Sequence, residues 1–161
     1  MENNNIEIKV ENSFSNVAKE LILELTKELA IRYEFTYDGS GAFQPDDVLG
    51  EKAGFFVVWQ NGNPIGCGAL RPLFKNEIVE IKRMFVKHEY RGNGVAKLLL
   101  KKLEETAILM AYNKIWLETG DRQPEAIQLY EKSGYSRITN YGDYKENLHN
   151  NSFEKVLTTL D

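Results

Sequence analysis

The runs Gly54 to Gln60 and Pro64 to Leu70 are apolar, β-branched and aromatic, and the pair between them, Asn61-Gly62, suits a tight hairpin turn. A further strand-like run, Ile78 to Val86, follows Arg71-Pro72 and a turn near Lys75-Asn76, then leads through His88 and Glu89 into a glycine-rich corner. Strands in direct succession pair antiparallel, so this stretch excludes a purely parallel, doubly wound sheet. The flanking segments fit around it. Ile6 to Val10 alternates like a strand, and Phe14 to Tyr33 sets Val17, Leu21, Leu25 and Leu29 on one helical face. Thr36 to Glu51 turns to Gly, Ser, Asp and Pro, with at most one short helix near Asp46. After the corner, Val95, Leu98, Leu99, Leu103 and Ala107 form the apolar stripe of a long helix ending near Asn113. Lys114 to Thr119 reads as a strand, and Pro124 and Gly134 bracket a helix. Tyr135 to Thr139 and Ser152 to Thr159 close as strands. This order predicts an α/β fold: a central mixed, mostly antiparallel sheet of about seven strands flanked by about four helices.

At 161 residues and 42% apolar composition, the chain has enough core for one domain over residues 1–161 without metal or disulfide staples. Cys67 is the single cysteine and cannot close a bridge within the chain. Met1 leads into the polar run Glu2 to Asn5, and no apolar stretch approaches the roughly 20 residues that span a bilayer, so a cytoplasmic protein without a membrane partner is expected. The net charge of -4 argues against a nucleic-acid partner. Its distribution is uneven. Lys82, Arg83, Lys87, Arg91, Lys97, Lys101 and Lys102 stand against Glu89 alone within residues 82–102, while the rest of the chain is strongly acidic. Such a patch is either a solvated helix face or the seat of a small anionic ligand.

The patch surrounds Tyr90-Arg91-Gly92-Asn93-Gly94-Val95-Ala96-Lys97, a strand-to-helix corner. Gly92 and Gly94 permit positive φ, so successive N–H groups can converge at the helix N-terminus, where the helix dipole and Arg91 favour phosphate oxygens. The P-loop pattern G-x-x-x-x-G-K-[ST] is absent, and Lys97 stands where a dinucleotide fingerprint needs a small residue.

The corner, with the preceding Glu80-Ile81-Lys82-Arg83-Met84-Phe85-Val86, resembles the acetyl-coenzyme A signature [RQ]-x-x-G-x-[GA] of the GNAT superfamily of N-acetyltransferases, with Arg91, Gly94 and Ala96 at its defined positions. The stretch Gln123-Pro124-Glu125-Ala126-Ile127-Gln128-Leu129-Tyr130-Glu131-Lys132-Ser133-Gly134-Tyr135 is similar to the later helix of that family, with Gln123 in place of the usual Asn. The resemblance implies acetyl transfer from acetyl-coenzyme A to an amine, without a metal. It implies that the backbone of Met84, Phe85 and Val86 pairs with the pantetheine arm, and that a strand N–H such as that of Met84 polarises the thioester carbonyl. The amides of Arg91, Gly92, Asn93, Gly94, Val95 and Ala96 would hold the pyrophosphate, with Gln123 also at the cofactor and Lys97, Lys101 or His88 as helpers to outer phosphates.

Amine acetylation needs a base for the ammonium, donors for the developing oxyanion and an acid for the departing thiolate. Glu80 matches the strand position of a general base in some family members; alternatively it is the ion-pair partner of Lys82, two residues on along the same face. Tyr130 matches the general acid, since a phenol is protonated at pH 7. Cys67, between Gly66 and Gly68, reads as a small hairpin residue rather than a nucleophile. The acceptor side is implied in the segments 33–43 and 141–152, where Tyr33, Tyr37 and Tyr141 suit a cationic amine, while Arg71 and Arg83 suit a substrate carboxylate. The reading is a small-molecule amine acetyltransferase acting on an amino acid, polyamine or similar. Its alternatives are a peptide or protein acetyltransferase and a non-catalytic acetyl-coenzyme A-binding module. Homodimers are common in families of this kind.

Overall fold

The computed structural model describes residues 5–34, 44–74, 77–142 and 145–158. Its elements follow the predicted order: β1 (Ile6–Glu11), α1 (Asn16–Tyr33), β2 (Gly54–Gln60), β3 (Asn63–Leu73), β4 (Ile78–Val86), α2 (Val95–Leu109), β5 (Lys114–Gly120), α3 (Pro124–Lys132), β6 (Ser136–Ile138) and β7 (Asn150–Val156). Short 3₁₀ turns at Pro45–Val48 and His88–Tyr90 accompany these three α-helices. Local chemistry sets the boundaries. Ser15 begins α1 by accepting the Ala18 N–H at 3.1 Å, a cap of about 1 kcal/mol. Asn61 and Gly62 both take positive φ, 50° and 81°, as the β2–β3 turn requires. α2 stops short of the expected Asn113 because Ala111 turns to φ 67°, and the Lys52 ammonium takes the freed Met110 carbonyl.

The strands form one sheet in the order β1-β2-β3-β4-β5-β7-β6. Every neighbouring pair is antiparallel except β4 and β5, which the α2 crossover makes parallel. Their pairing covers only Val79 with Ile115 and Glu80 with Trp116. Beyond Glu80 the two strands part, and the edge of β4 from Met84 to Val86 that faces β5 opens into a cleft.

Apolar layers cover both faces. Leu99, Leu100 and Leu103 of α2 and Tyr130 of α3 pack with Val79, Ile81, Ile115, Leu117 and Phe153 on one side. Ala18, Leu21 and Leu25 of α1 pack with Phe55, Val57, Cys67, Ala69 and Phe85 on the other. Each fully buried Leu or Phe favours folding by roughly 1.5–3 kcal/mol over exposure, which fixes both helical layers to the sheet. A bulge in β4 adjusts this alternation. Gly68 of β3 faces two residues of β4, Arg83 and Met84, and Arg83 takes φ 54°. The extra residue returns Met84 to the α2–α3 side, beside Ile81 and Val86, where an unbulged strand would turn it toward α1. Among the described residues, no helix is long and apolar enough to cross a membrane.

Candidate active site

Past the last β4–β5 pairing, the β4 edge, the turn into α2, α3 and α1 enclose a cleft of about 330 Å³. Met84, Phe85 and Val86 line one side, Gln123, Ala126, Leu129 and Tyr130 line another, and Arg91, Gly92, Gly94, Val95, Ala96 and Lys97 close one end. Of the β4, turn and α3 residues expected to hold the cofactor, Asn93 alone is outside this lining. Gly92 and Gly94 have φ 83° and 80°, and a Cβ at either would meet nothing within 4 Å, so backbone conformation and not crowding calls for glycine. The turn therefore presents the start of α2 to open space, a seat suited to the phosphates of a nucleotide cofactor. Arg91 is already engaged: its Nε donates to the Val86 carbonyl at 2.7 Å and its Nη2 to Glu28 Oε1 at 2.7 Å. His88 and Lys101 are exposed and line no part of this cleft.

Tyr130 is buried at the cleft, where its hydroxyl points to Met84 Sδ at 3.7 Å. Burial, and then the Glu118 charge, pushes the phenol above its ordinary pKa, so it holds its proton at neutral pH. Glu118 is the residue that the sequence reading missed. It lies on β5 two positions past the last pairing with β4, and burial pushes its carboxyl above the ordinary carboxylate range. Lys82 pulls the other way from 3.6 Å. Its raised affinity for protons and its place at a cleft are the marks of a proton acceptor.

Glu118 lines a second cleft of about 530 Å³ with Tyr33, Asp121, Arg122, Gln123 and His149. Gln123 lines both clefts and joins them. One methylene longer than the usual Asn, Gln123 makes no side-chain cap on α3 and instead donates from Nε2 to Tyr33 Oη at 3.3 Å. Tyr33 also accepts the Arg122 N–H at 3.2 Å. It comes this close because Gly120 lacks a side chain: a Cβ there would lie 1.9 Å from Tyr33 Oη. Asn151, donating at 2.7 Å, holds the Asp121 carboxyl below its ordinary pKa, and His149 adds to the effect.

Three expected site residues meet elsewhere. Glu80 is fully buried and lines neither cleft. Its Oε1 accepts from Arg71 Nε at 3.0 Å and Nη2 at 2.5 Å, and its Oε2 accepts from Tyr141 Oη at 2.5 Å. Arg71 reaches Asp47 as well, at 3.3 Å. Thus the expected partner of Glu80, Lys82, faces Glu118, and Arg71 takes its place from directly across the β3–β4 ladder. Arg83 sits at the bulge outside both linings, and Tyr37 lies outside the described residues. Cys67 is buried, its thiol is pushed up to about 12 by desolvation, and it lies 3.3 Å from the Arg83 carbonyl. That thiol is no nucleophile at neutral pH.

A sheet split beside a glycine turn suited to phosphates, with a buried phenol and a carboxyl of raised proton affinity at the adjoining clefts, fits a domain for group transfer from a long anionic ligand. Residues 18–135 match the Acetyltransferase (GNAT) family. The chain belongs to that family and is an N-acetyltransferase; the family uses acetyl-coenzyme A. It is 30% identical over 140 residues to an IAA acetyltransferase of Azospirillum brasilense, covering 87% of this chain and 90% of that protein. A GNAT-family acetyltransferase of Staphylococcus aureus Mu50 shares the fold with a TM-score of 0.76 at 22% identity, over 96% of this chain and 100% of that one. Another, from Elizabethkingia anophelis with acetyl-CoA bound, aligns with a TM-score of 0.68 at 21% identity, over 95% and 99% of the two chains.

Proposed function

We propose that the chain, as one domain over residues 1–161, acetylates the primary amine of a small molecule by direct attack in a ternary complex. The observation that carries this reading is a pair of adjoining clefts, with Tyr130 lining one, Glu118 the other and Gln123 both. A carboxyl primed to accept a proton lines one cleft, a phenol that keeps its proton lines the other, and the charge of the first acts on the second. Acetyl-coenzyme A supplies the activated acyl group. Past the last pairing with β5, Met84 to Val86 offer it a strand edge, and the amides from Gly92 to Ala96 offer its phosphates an anion seat. Glu118 takes the proton of the acceptor ammonium, the Met84 N–H stabilises developing negative charge on the carbonyl oxygen, and Tyr130 holds a proton for the departing sulfur. Because Glu80 is enclosed by Arg71 and Tyr141, the base role passes from Glu80 to Glu118.

The second cleft has the size of a small-molecule site, and Glu118 and Asp121 within it suit an ammonium. A panel of amines, amino acids and peptides, assayed by thiol release from acetyl-coenzyme A, tests the acceptor class. Turnover with peptides alone would refute the small-molecule reading. Tyr130→Phe is expected to lower kcat by about tenfold or more with little change in coenzyme A affinity. An unchanged kcat would remove the phenol from the reaction. Lys82→Met removes the charge that draws Glu118 toward ionisation, so the acidic limb of the kcat/KM profile is expected to move to higher pH. A limb that stays in place would show that another group sets it.

A further inference from the structure

Arg91 brings positive charge to the phosphate turn, yet its guanidinium is held from within the chain. The bond from Nε to the Val86 carbonyl fixes the side chain on β4, and Nη2 is taken by Glu28. Glu28 stands on α1 one helical turn before Arg32, which pairs with Glu125 in the first turn of α3. Glu28 and Glu125 both line the first cleft, so two carboxylates border a turn whose amides are suited to an anion. Arg91 and Glu28 are 27% and 29% exposed, and water screens the pair only in part.

We propose that Glu28 is an internal counter-anion for Arg91 that a phosphate of the cosubstrate must displace, which makes Glu28 a specificity-determining residue of the cofactor cleft. This rests on the cosubstrate assignment above. One Nη2 edge cannot serve a carboxylate and a phosphate at full strength together, and the two anions repel if both stay. A bare phosphate group therefore exchanges one ion pair for another and gains little. A ligand that also lies along Met84 to Val86 and against Leu129 adds strand pairing and apolar burial to the exchange. Glu28 in this way keeps small phosphates out of a basic corner while admitting the whole cosubstrate.

The test is calorimetric titration of coenzyme A, and separately of inorganic pyrophosphate, into the wild type, Glu28→Gln, Arg91→Met and the double variant. Glu28→Gln is expected to tighten coenzyme A about three- to tenfold and to tighten pyrophosphate by at least as much. In the Arg91→Met background the same change is expected to give less than about a twofold gain, because no guanidinium is left to release. Unchanged or weaker coenzyme A binding by a Glu28→Gln protein of wild-type Tm overturns the proposal. An equal gain with and without Arg91 overturns it too, since Glu28 would then act only by repulsion. Failure of the wild type to bind coenzyme A is a separate result, which overturns the cosubstrate assignment and this proposal with it.

Discussion

Glu118→Gln is expected to lower kcat by about 10²- to 10⁴-fold while coenzyme A binds within about twofold of wild type. Glutamine keeps the shape of the side chain and its reach toward Lys82 but cannot accept a proton at neutral pH. An amine enters as an ammonium, so losing the acceptor removes the step that frees the nitrogen lone pair. The sign of the pH dependence follows from the same group. Burial holds the Glu118 carboxyl above the ordinary carboxylate range, against the pull of Lys82, so the wild-type rate rises with pH as this group ionises. In Glu118→Gln that acidic limb is expected to vanish, leaving only the dependence on the acceptor's own ammonium. Two measurements decide it: kcat/KM against pH for both proteins, and calorimetric binding of coenzyme A. A variant that keeps most of its turnover and its acidic limb would return the base role to another residue.

Most of the fold was legible because its signals are local. The Asn61-Gly62 turn, the double-glycine corner before Val95 and the Pro124 to Gly134 bracket each report on a few neighbouring residues, and each element appears where those signals place it. The lining of the first cleft was legible for the same reason, since most of its residues fall in two short stretches. What escaped depends on register and on distance along the chain. Glu118 sits in a strand between Leu117 and Thr119, and an alternating strand gives a glutamate there the look of a solvated position; only the parting of β4 from β5 makes it half-enclosed. Lys82, two residues away, is the neighbour of Glu80 visible in the sequence, whereas the β3–β4 register sets Arg71 opposite it. The Gln123 contact to Tyr33 spans 90 residues and requires the bare backbone of Gly120. No pattern within either segment announces such a meeting.

The Glu80 network leads to the largest expected effect on stability. Arg71→Met is expected to destabilise the protein by about 3–5 kcal/mol, because it strips the counter-charge from a carboxylate with 0% exposure. Tyr141 would still donate to Oε2, but one neutral hydroxyl cannot offset the desolvation of a full charge. Urea unfolding, followed at constant m, gives the number. The pair itself is a different matter from the cost of breaking it. Replacing both partners, Arg71→Met with Glu80→Leu, removes both charges of the pair and is expected to restore most of the lost stability. That recovery separates the two roles that a glutamate on β4 can have. If Glu80 anchors Tyr141, the double variant regains stability and retains acetylation within about tenfold, any loss arising from a looser segment after β6. If Glu80 is instead the base, stability returns while turnover stays down by the 10²-fold or more assigned above to Glu118. The enclosure of both Glu80 oxygens by Arg71 and Tyr141 favours the first outcome.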